Sequence, residues 1–309
     1  MVAYVSSSVN RPPTIPSWVS ESLPLSFDLA LEIGRFRRYM EEKFLKKQSK
    51  EEIIEFINKY LYVDVNAANA IYSYFQEQYF YAEIPSVKKL LIESYSDDKR
   101  KYCIFHSLYG RRVNDVLSRA IAFAISRVQH RDVEIGISDN GFYIASEKGI
   151  NGLKALRILK SDKLDLVLHM AIDKTEVLKR RFRHCATRAL MILKNYNGRK
   201  MRVGRQQVSS MILMSAVKRI STNFSILKEA RREVLQDLMD IENAKLILKQ
   251  IEDKKIRVKQ IITTIPSPFA LNLVMQGHLD VMRMEDKMEF LRRMHQMTLA
   301  KIGLKHRME

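Results

Sequence analysis

Apolar residues recur along this chain first at helical spacing, then at strand spacing, then mostly at helical spacing again. Leu29, Ile33, Phe36, Met40 and Phe44 stand three and four apart, with Ser26 placed to cap and Asp28 in the first turn, so a helix is expected there. Ser49 and Glu52 form a capping-box pattern ahead of Ile53, Ile54 and Ile57, and Ala67, Ile71, Phe75 and Tyr79 mark the inner stripe of a third helix over about 64–82. The period then shortens. Strands are predicted near 87–94, 101–109, 133–138, 142–146 and 256–264, the first two joined by the polar turn 96–99 and the next two by Asn140-Gly141, a strong hairpin signal. Helices are predicted over 113–128, 206–220, 224–239 (Phe224, Leu227, Val234, Leu238), 244–251, 269–276 and a Met-rich 279–302, while 164–172 is ambiguous between strand and helix. The fold class expected is α+β, mostly helical, with a small and largely antiparallel sheet. Residues 1–25 read as a linker or incoming segment, as if the chain were entered midway, 26–85 as a helical layer, and 86–309 as an α+β core with C-terminal helices.

The stretch 176–207 stands apart. Leu178, Phe182, Cys185, Ala189, Leu193 and Tyr196 repeat at helical spacing and predict one buried face. Around it lie Lys179, Arg180, Arg181, Arg183, Arg188 and Lys194, and after Asn197-Gly198 come Arg199, Lys200, Arg202 and Arg205. These ten cations face one anion, Glu176. A charge run is commonly a solvated face, but crowded guanidinium groups repel one another unless an anion neutralises them, and their planar forks fit phosphate oxygens.

Whole-chain charge points the same way. With 53 Lys+Arg against 35 Asp+Glu, the net charge of +18 belongs to a binder of polyanions, nucleic acid or an anionic membrane surface. No apolar run is long enough to span a bilayer and no signal-peptide pattern opens the chain, so a soluble, cytoplasmic protein is expected. Cys103 and Cys185 have no metal-ligand or disulfide-framework spacing and read as small buried residues, and the seven histidines are scattered. There is no GxxxxGK[ST] loop for a nucleoside triphosphate and no GxSxG elbow. Glu93 and Asp139 are available as acid or base, each with an ordinary structural alternative in a strand or a turn. Trp18, beside three prolines, either anchors a turn or offers a stacking surface to a base.

Six blocks, in order, carry a family resemblance: PSWVSESLPLSFDLALEIGRFRR from Pro16, HSLYGRRVNDVLSRAIA from His106, ISDNGFYI from Ile137, RRFRHCATRALMIL from Arg180, GRKMRVGRQQVSS from Gly198 and SPFALNL from Ser267. Together they resemble the C-terminal, DEAD/H-associated region of Lhr-type superfamily 2 helicases across almost the whole chain. The resemblance implies a region that completes the channel for a tracked strand behind two RecA-like ATPase domains and a winged helix. Both RecA-like domains are missing from the 309 residues, so the chain is expected to be a fragment, an excised piece, or a product whose motor half is a separate chain. ATP and magnesium are accordingly expected only in those motor domains, and no cofactor in this chain.

The sequence thus supports a nucleic-acid-binding accessory region that holds single-stranded DNA or RNA and works with motor domains in cis or in trans. Arg180, Arg181, Arg183, Arg188, Arg199, Arg202 and Arg205 are expected to line the groove, Trp18 and Tyr109 to stack bases, and Gln206 and Gln207 to donate to phosphate or sugar. Two alternatives stay open. One is a catalytic module of glycosylase or nuclease type; the other is a scaffold whose basic helix docks on an acidic partner.

Overall fold

The computed structural model describes residues 23–97, 100–276 and 284–306. Trp18, most of the 1–25 segment, and Asp98 and Lys99 of the 96–99 turn lie outside them.

Three helices open the described chain: α1 (Phe27–Leu45), α2 (Lys50–Leu61) and α3 (Val65–Tyr81). Each starts where a short polar side chain satisfies an otherwise free amide: Ser26 accepts from the Leu29 N–H, Ser49 and Glu52 close a reciprocal box, and Asp64 accepts from Ala67. Phe36, Met40 and Phe44 meet Ile53, Ile57, Tyr72 and Phe75 in a separate apolar cluster that also takes in Phe269. Leu29, expected inside, is half exposed. The buried positions of α3 are Ala68, Tyr72, Phe75 and Gln78, and the expected Ile71 and Tyr79 pack against the same cluster partly buried. Phe269 packs edge-on to Phe75, and its N–H donates to Gln78 on the same helix.

The sheet follows as β1 (Lys89–Ser96) and β2 (Lys101–His106), then α4 (Arg111–Gln129), β3 (Glu134–Ser138) and β4 (Gly141–Ser146). Next come α5 (Gly152–Ile158), a short 3-10 turn, α6 (Leu164–Ile172) and α7 (Glu176–Arg188). A two-residue hairpin, β5 (Asn195–Tyr196) and β6 (Arg199–Lys200), leads to α8 (Val203–Ile220) and α9 (Ser225–Arg232), which runs into a π-helical turn (Glu233–Leu238). The chain closes with α10 (Ile241–Glu252), β7 (Arg257–Ile262), α11 (Pro268–Gln276) and α12 (Met284–His306). The ambiguous 164–172 is helical because Leu164, Leu168 and Ile172, four apart, all face the core beside α4. The expected helix over 224–239 changes pitch at Glu233.

Five strands pair in the order β3-β4-β2-β1-β7. All pairs are antiparallel except β1 with β7, where Ile92 faces Gln260. Both faces are covered, which explains the continuous burial along β2 and β4. Ile92, Cys103, Phe105, Phe142 and Ile144 share the cluster with α4, while Tyr102, Ile104, Tyr143 and Ala145 pack against Ala270, Leu273 and Val274 of α11. Gly136 sits opposite Tyr143, and a β-carbon there would fall 2.0 Å from the tyrosine ring.

Glu93 fastens α11 to this sheet. Its carboxylate is fully buried, accepts from Thr263 Oγ1 (2.8 Å), Ser267 N (2.8 Å) and Ser267 Oγ (2.7 Å), and lies 2.9 Å from His106 Nε2. Burial alone would raise its pKa, but His106 and Ser267 outweigh that and hold it below the ordinary carboxyl value. Glu93 is therefore a structural clamp. Asp139 is likewise committed, accepting from the backbone N–H groups of Leu25 and Arg111. Both cysteines are free and buried, as expected.

Candidate nucleic-acid interface

The basic helix is capped by Thr175, whose hydroxyl accepts from the Leu178 N–H, and Leu178, Phe182, Cys185 and Ala186 form its buried face. That face stops sooner than the spacing predicts. Leu190 takes a left-handed conformation (φ 59°), and the N–H groups of Met191 and Ile192 both turn back to the Ala186 carbonyl. Ile192 fills the core where Leu193 was expected, and Ala189, Leu193 and Tyr196 are exposed. Asn197 and Gly198, both at positive φ, form the turn of the β5–β6 hairpin and raise Tyr196 beside Arg199. Tyr196 is 60% exposed.

The cations divide into two groups. Arg188 and Arg181 turn toward Glu233, which the π-helical turn buries: Arg188 donates directly to its carboxylate and Arg181 stands 3.7 Å away. These two expected groove residues thus share one internal carboxylate, which balances one of their two charges. Arg180, Arg183, Arg199, Arg202 and Arg205 have no carboxylate within ion-pair distance among the described residues. Lys179 pairs with Glu176 at 2.6 Å.

Packing of α7 on α8 leaves a cleft of about 380 Å³. Val177, Met211 and Met214 give it an apolar lining, Gln207 and Ser210 supply polar groups, and Lys179, Arg180 and Arg183 line it together with one anion, Glu176. Asp173, at the end of α6, ties α8 to α9 by accepting from Lys218 Nζ of α8 (2.8 Å) and Arg231 of α9 (3.1 Å). Burial would raise the Asp173 pKa, yet these two donors hold it below the usual range. The field on the α7 surface is read by His184: desolvation lowers its pKa, and Arg183, Arg181, Arg180 and Arg188 lower it further by repelling the imidazolium.

Of the expected site residues, the structure brings Arg180 and Arg183 to this cleft and places Arg199 on the hairpin, with Arg202 and Arg205 at the start of α8; Arg183 is partly buried and the other four are exposed. Gln206 donates one of its two side-chain N–H groups to the Met201 carbonyl at 2.9 Å. Gln207 lines the cleft. Tyr109 is 3% exposed, packs 6.5 Å from Phe27, and has its hydroxyl pKa pushed up by burial, so it presents no ring face to a base. Tyr196, expected on the buried helical face, is exposed instead, and the Asn-Gly signal next to it marks the turn that ends that face. Among the described residues, no group of three or more His, Cys, Asp or Glu side chains could hold a metal ion, and no helix is long and apolar enough to cross a membrane.

The family profile described as DEAD/H associated matches residues 84–270, well over half of the chain. The chain belongs to the DEAD/H-associated family. It is 56% identical over 292 residues to the ATP-dependent helicase Lhr-Core of Methanothermobacter thermautotrophicus, covering 94% of this chain and 34% of that protein. It is 43% identical to Lhr-Core of Saccharolobus solfataricus, again covering 94% of this chain and 34% of the relative. Similarity extends at 28% identity to the Lhr helicase/uracil glycosylase of Escherichia coli, over 62% of this chain and 12% of that one. This DEAD/H-associated chain thus spans about a third of the length of the Lhr-Core relatives it matches. Its fold is also that of part of Mycobacterium smegmatis helicase Lhr, solved bound to ssDNA and AMP-PNP: the TM-score is 0.71 at 22% identity, covering 85% of this chain and 33% of that one.

Proposed function

We propose that this chain is the strand-holding region of an ATP-dependent Lhr-type helicase, and that it grips single-stranded DNA or RNA by phosphate contacts at and beside the α7–α8 cleft. The observation that carries the reading is the set of five guanidinium groups without an ion-pair partner among the described residues: Arg180 and Arg183 line the cleft, Arg199 lies on the adjoining hairpin, and Arg202 and Arg205 lie at the start of α8. Membership of the DEAD/H-associated family and the ssDNA held by the structurally similar M. smegmatis Lhr support it.

A motor that advances along any sequence needs contacts of equal strength at every step. Phosphates offer that regularity and base edges do not. In this chain the arginines engage the backbone, Val177, Met211 and Met214 cover apolar surface of the sugars and bases, and Gln207 supplies a further donor. ATP and magnesium belong to motor domains, attached in cis or supplied in trans. This sequence has no loop of the GxxxxGK[ST] type, so no step of the grip is routed through nucleotide.

The test is fluorescence anisotropy of a labelled thymidine oligonucleotide with the wild-type chain and with Arg180→Ala/Arg183→Ala/Arg205→Ala. Weaker binding by the triple variant, with unchanged thermal unfolding, is the expected result. Equal affinity would overturn the reading.

A further inference from the structure

A second cleft, of about 520 Å³, lies between α1 and the segments that lead into β1 and β7. The charged residues that line it, Arg35, Arg38, Lys88 and Lys255, are all cations, and Tyr39 and Gln250 share the lining. None of these residues belongs to the α7–α8 cleft.

The cations are available. Lys88 has no carboxylate within ion-pair distance among the described residues. Arg35 pairs with Glu32, Arg38 with Glu42 at 2.7 Å, and Lys255 with Asp253 at 3.3 Å, all with roughly 40% or more of the side chain exposed. Exposed pairs of this kind contribute little and yield to a phosphate, in contrast to the buried Glu233 that holds Arg188 and Arg181.

The walls are stiff. Gly34 lets α1 lie against Val87, where a β-carbon would stand 3.3 Å from the Val87 nitrogen and where the Val87 N–H donates to the Gly34 carbonyl. The Lys88 carbonyl accepts from the Arg257 N–H at 2.9 Å. The Gln250 carbonyl accepts from both Lys255 and Ile256, which fixes Lys255 and caps the carbonyl end of α10 that would otherwise repel an anion. The Tyr39 ring is about two-fifths exposed and is braced edge-on by Phe56 at 6.4 Å and Tyr60 at 6.0 Å. A braced aromatic beside several cations is the combination that binds single strands without reading their sequence.

We propose that this cleft is a second phosphate-binding site, which holds a further segment of single-stranded nucleic acid with a base stacked on Tyr39. It does not depend on the α7–α8 assignment.

The experiment compares the salt dependence of binding to a long thymidine oligonucleotide for wild type, Lys88→Ala/Lys255→Ala and Arg180→Ala/Arg183→Ala, with Tyr39→Ala and Tyr39→Phe as a third arm. Each phosphate contact on a single strand contributes about 0.7 to the slope of log affinity against log salt, so removing Lys88 and Lys255 is expected to flatten it by roughly 1.4. Tyr39→Ala is expected to lower affinity about fivefold or more at unchanged slope, with Tyr39→Phe retaining it. A slope that stays at the wild-type value in Lys88→Ala/Lys255→Ala overturns the second site, whatever Arg180→Ala/Arg183→Ala does. Flattening in Lys88→Ala/Lys255→Ala alone supports the second site and counts against the first. Displacement of the oligonucleotide by polyglutamate from wild type but not from Lys88→Ala/Lys255→Ala would assign the cleft to an acidic protein partner and overturn the proposal.

Discussion

Division of the basic side chains around α7 into free and internally paired groups makes a quantitative prediction. Five arginines (Arg180, Arg183, Arg199, Arg202, Arg205) are free, while Arg181 and Arg188 are held by Glu233. At about 0.7 per phosphate, five contacts give a slope near −3.5, which is a loss of about 130-fold in affinity between roughly 50 and 200 mM salt. Arg180→Ala/Arg183→Ala lowers that to about −2.1 and the loss to about 18-fold. Arg181→Ala/Arg188→Ala is expected to leave it near −3.5, because both guanidinium groups are turned onto the Glu233 carboxylate. Glu233→Gln frees both and steepens the slope toward about −4.9. Any contribution from the α1 cleft adds equally to all four proteins, so the differences between them are the readout. Fluorescence-anisotropy titrations at four or more salt concentrations, in the full chain, measure it. If Arg181→Ala/Arg188→Ala flattens the slope as much as Arg180→Ala/Arg183→Ala, the phosphate path runs over the Glu233 side and the assignment of the α7–α8 cleft is refuted.

Glu93→Ala leaves the Ser267 and Thr263 donors without their buried acceptor, and is expected to cost about 3–5 kcal/mol, read as a fall in the thermal midpoint of several degrees. Because the folded-state pKa of Glu93 lies below its ordinary 4.5, its ionic contribution is complete above that pH and is lost as pH falls further; urea titrations in that acid range are expected to show a shallower pH dependence for Glu93→Gln than for wild type. Tyr196→Ala is expected to weaken oligonucleotide binding by about 1–3 kcal/mol at unchanged salt slope, with Tyr196→Phe close to wild type in the same anisotropy assay. Gly136→Ala drives a methyl into the Tyr143 ring and is expected to cost about 1–3 kcal/mol, measured by denaturant unfolding.

Local signals in the sequence reported the helices and strands well where they were strong. The caps at Ser26 and Ser49 fall where short-range chemistry put them, and the β3–β4 hairpin turns one residue early, at Asp139-Asn140, with Gly141 paired to Ser138. Less could be read where long-range packing decides. That Glu93 would bind Ser267 depends on a separation of 174 positions, and that Glu233 would claim Arg188 depends on a π-helical turn 45 positions away. No spacing rule carries that information. Tyr109 shows the limit in the other direction, since an aromatic beside Gly110 looks available until α1 is laid against it through Phe27.

The late arrival of β7 has a mechanical consequence. Everything from α5 to α10 leaves the sheet at Ser146 and rejoins it at Arg257, where β7 lies parallel to β1. The helical portion that carries the arginines is thus a closed loop stapled to the sheet at both ends, and α4 touches it through α5, α6 and α10. A force applied to α7 and α8 is therefore carried into the sheet through two chain connections and the α4 contacts, rather than through a single hinge.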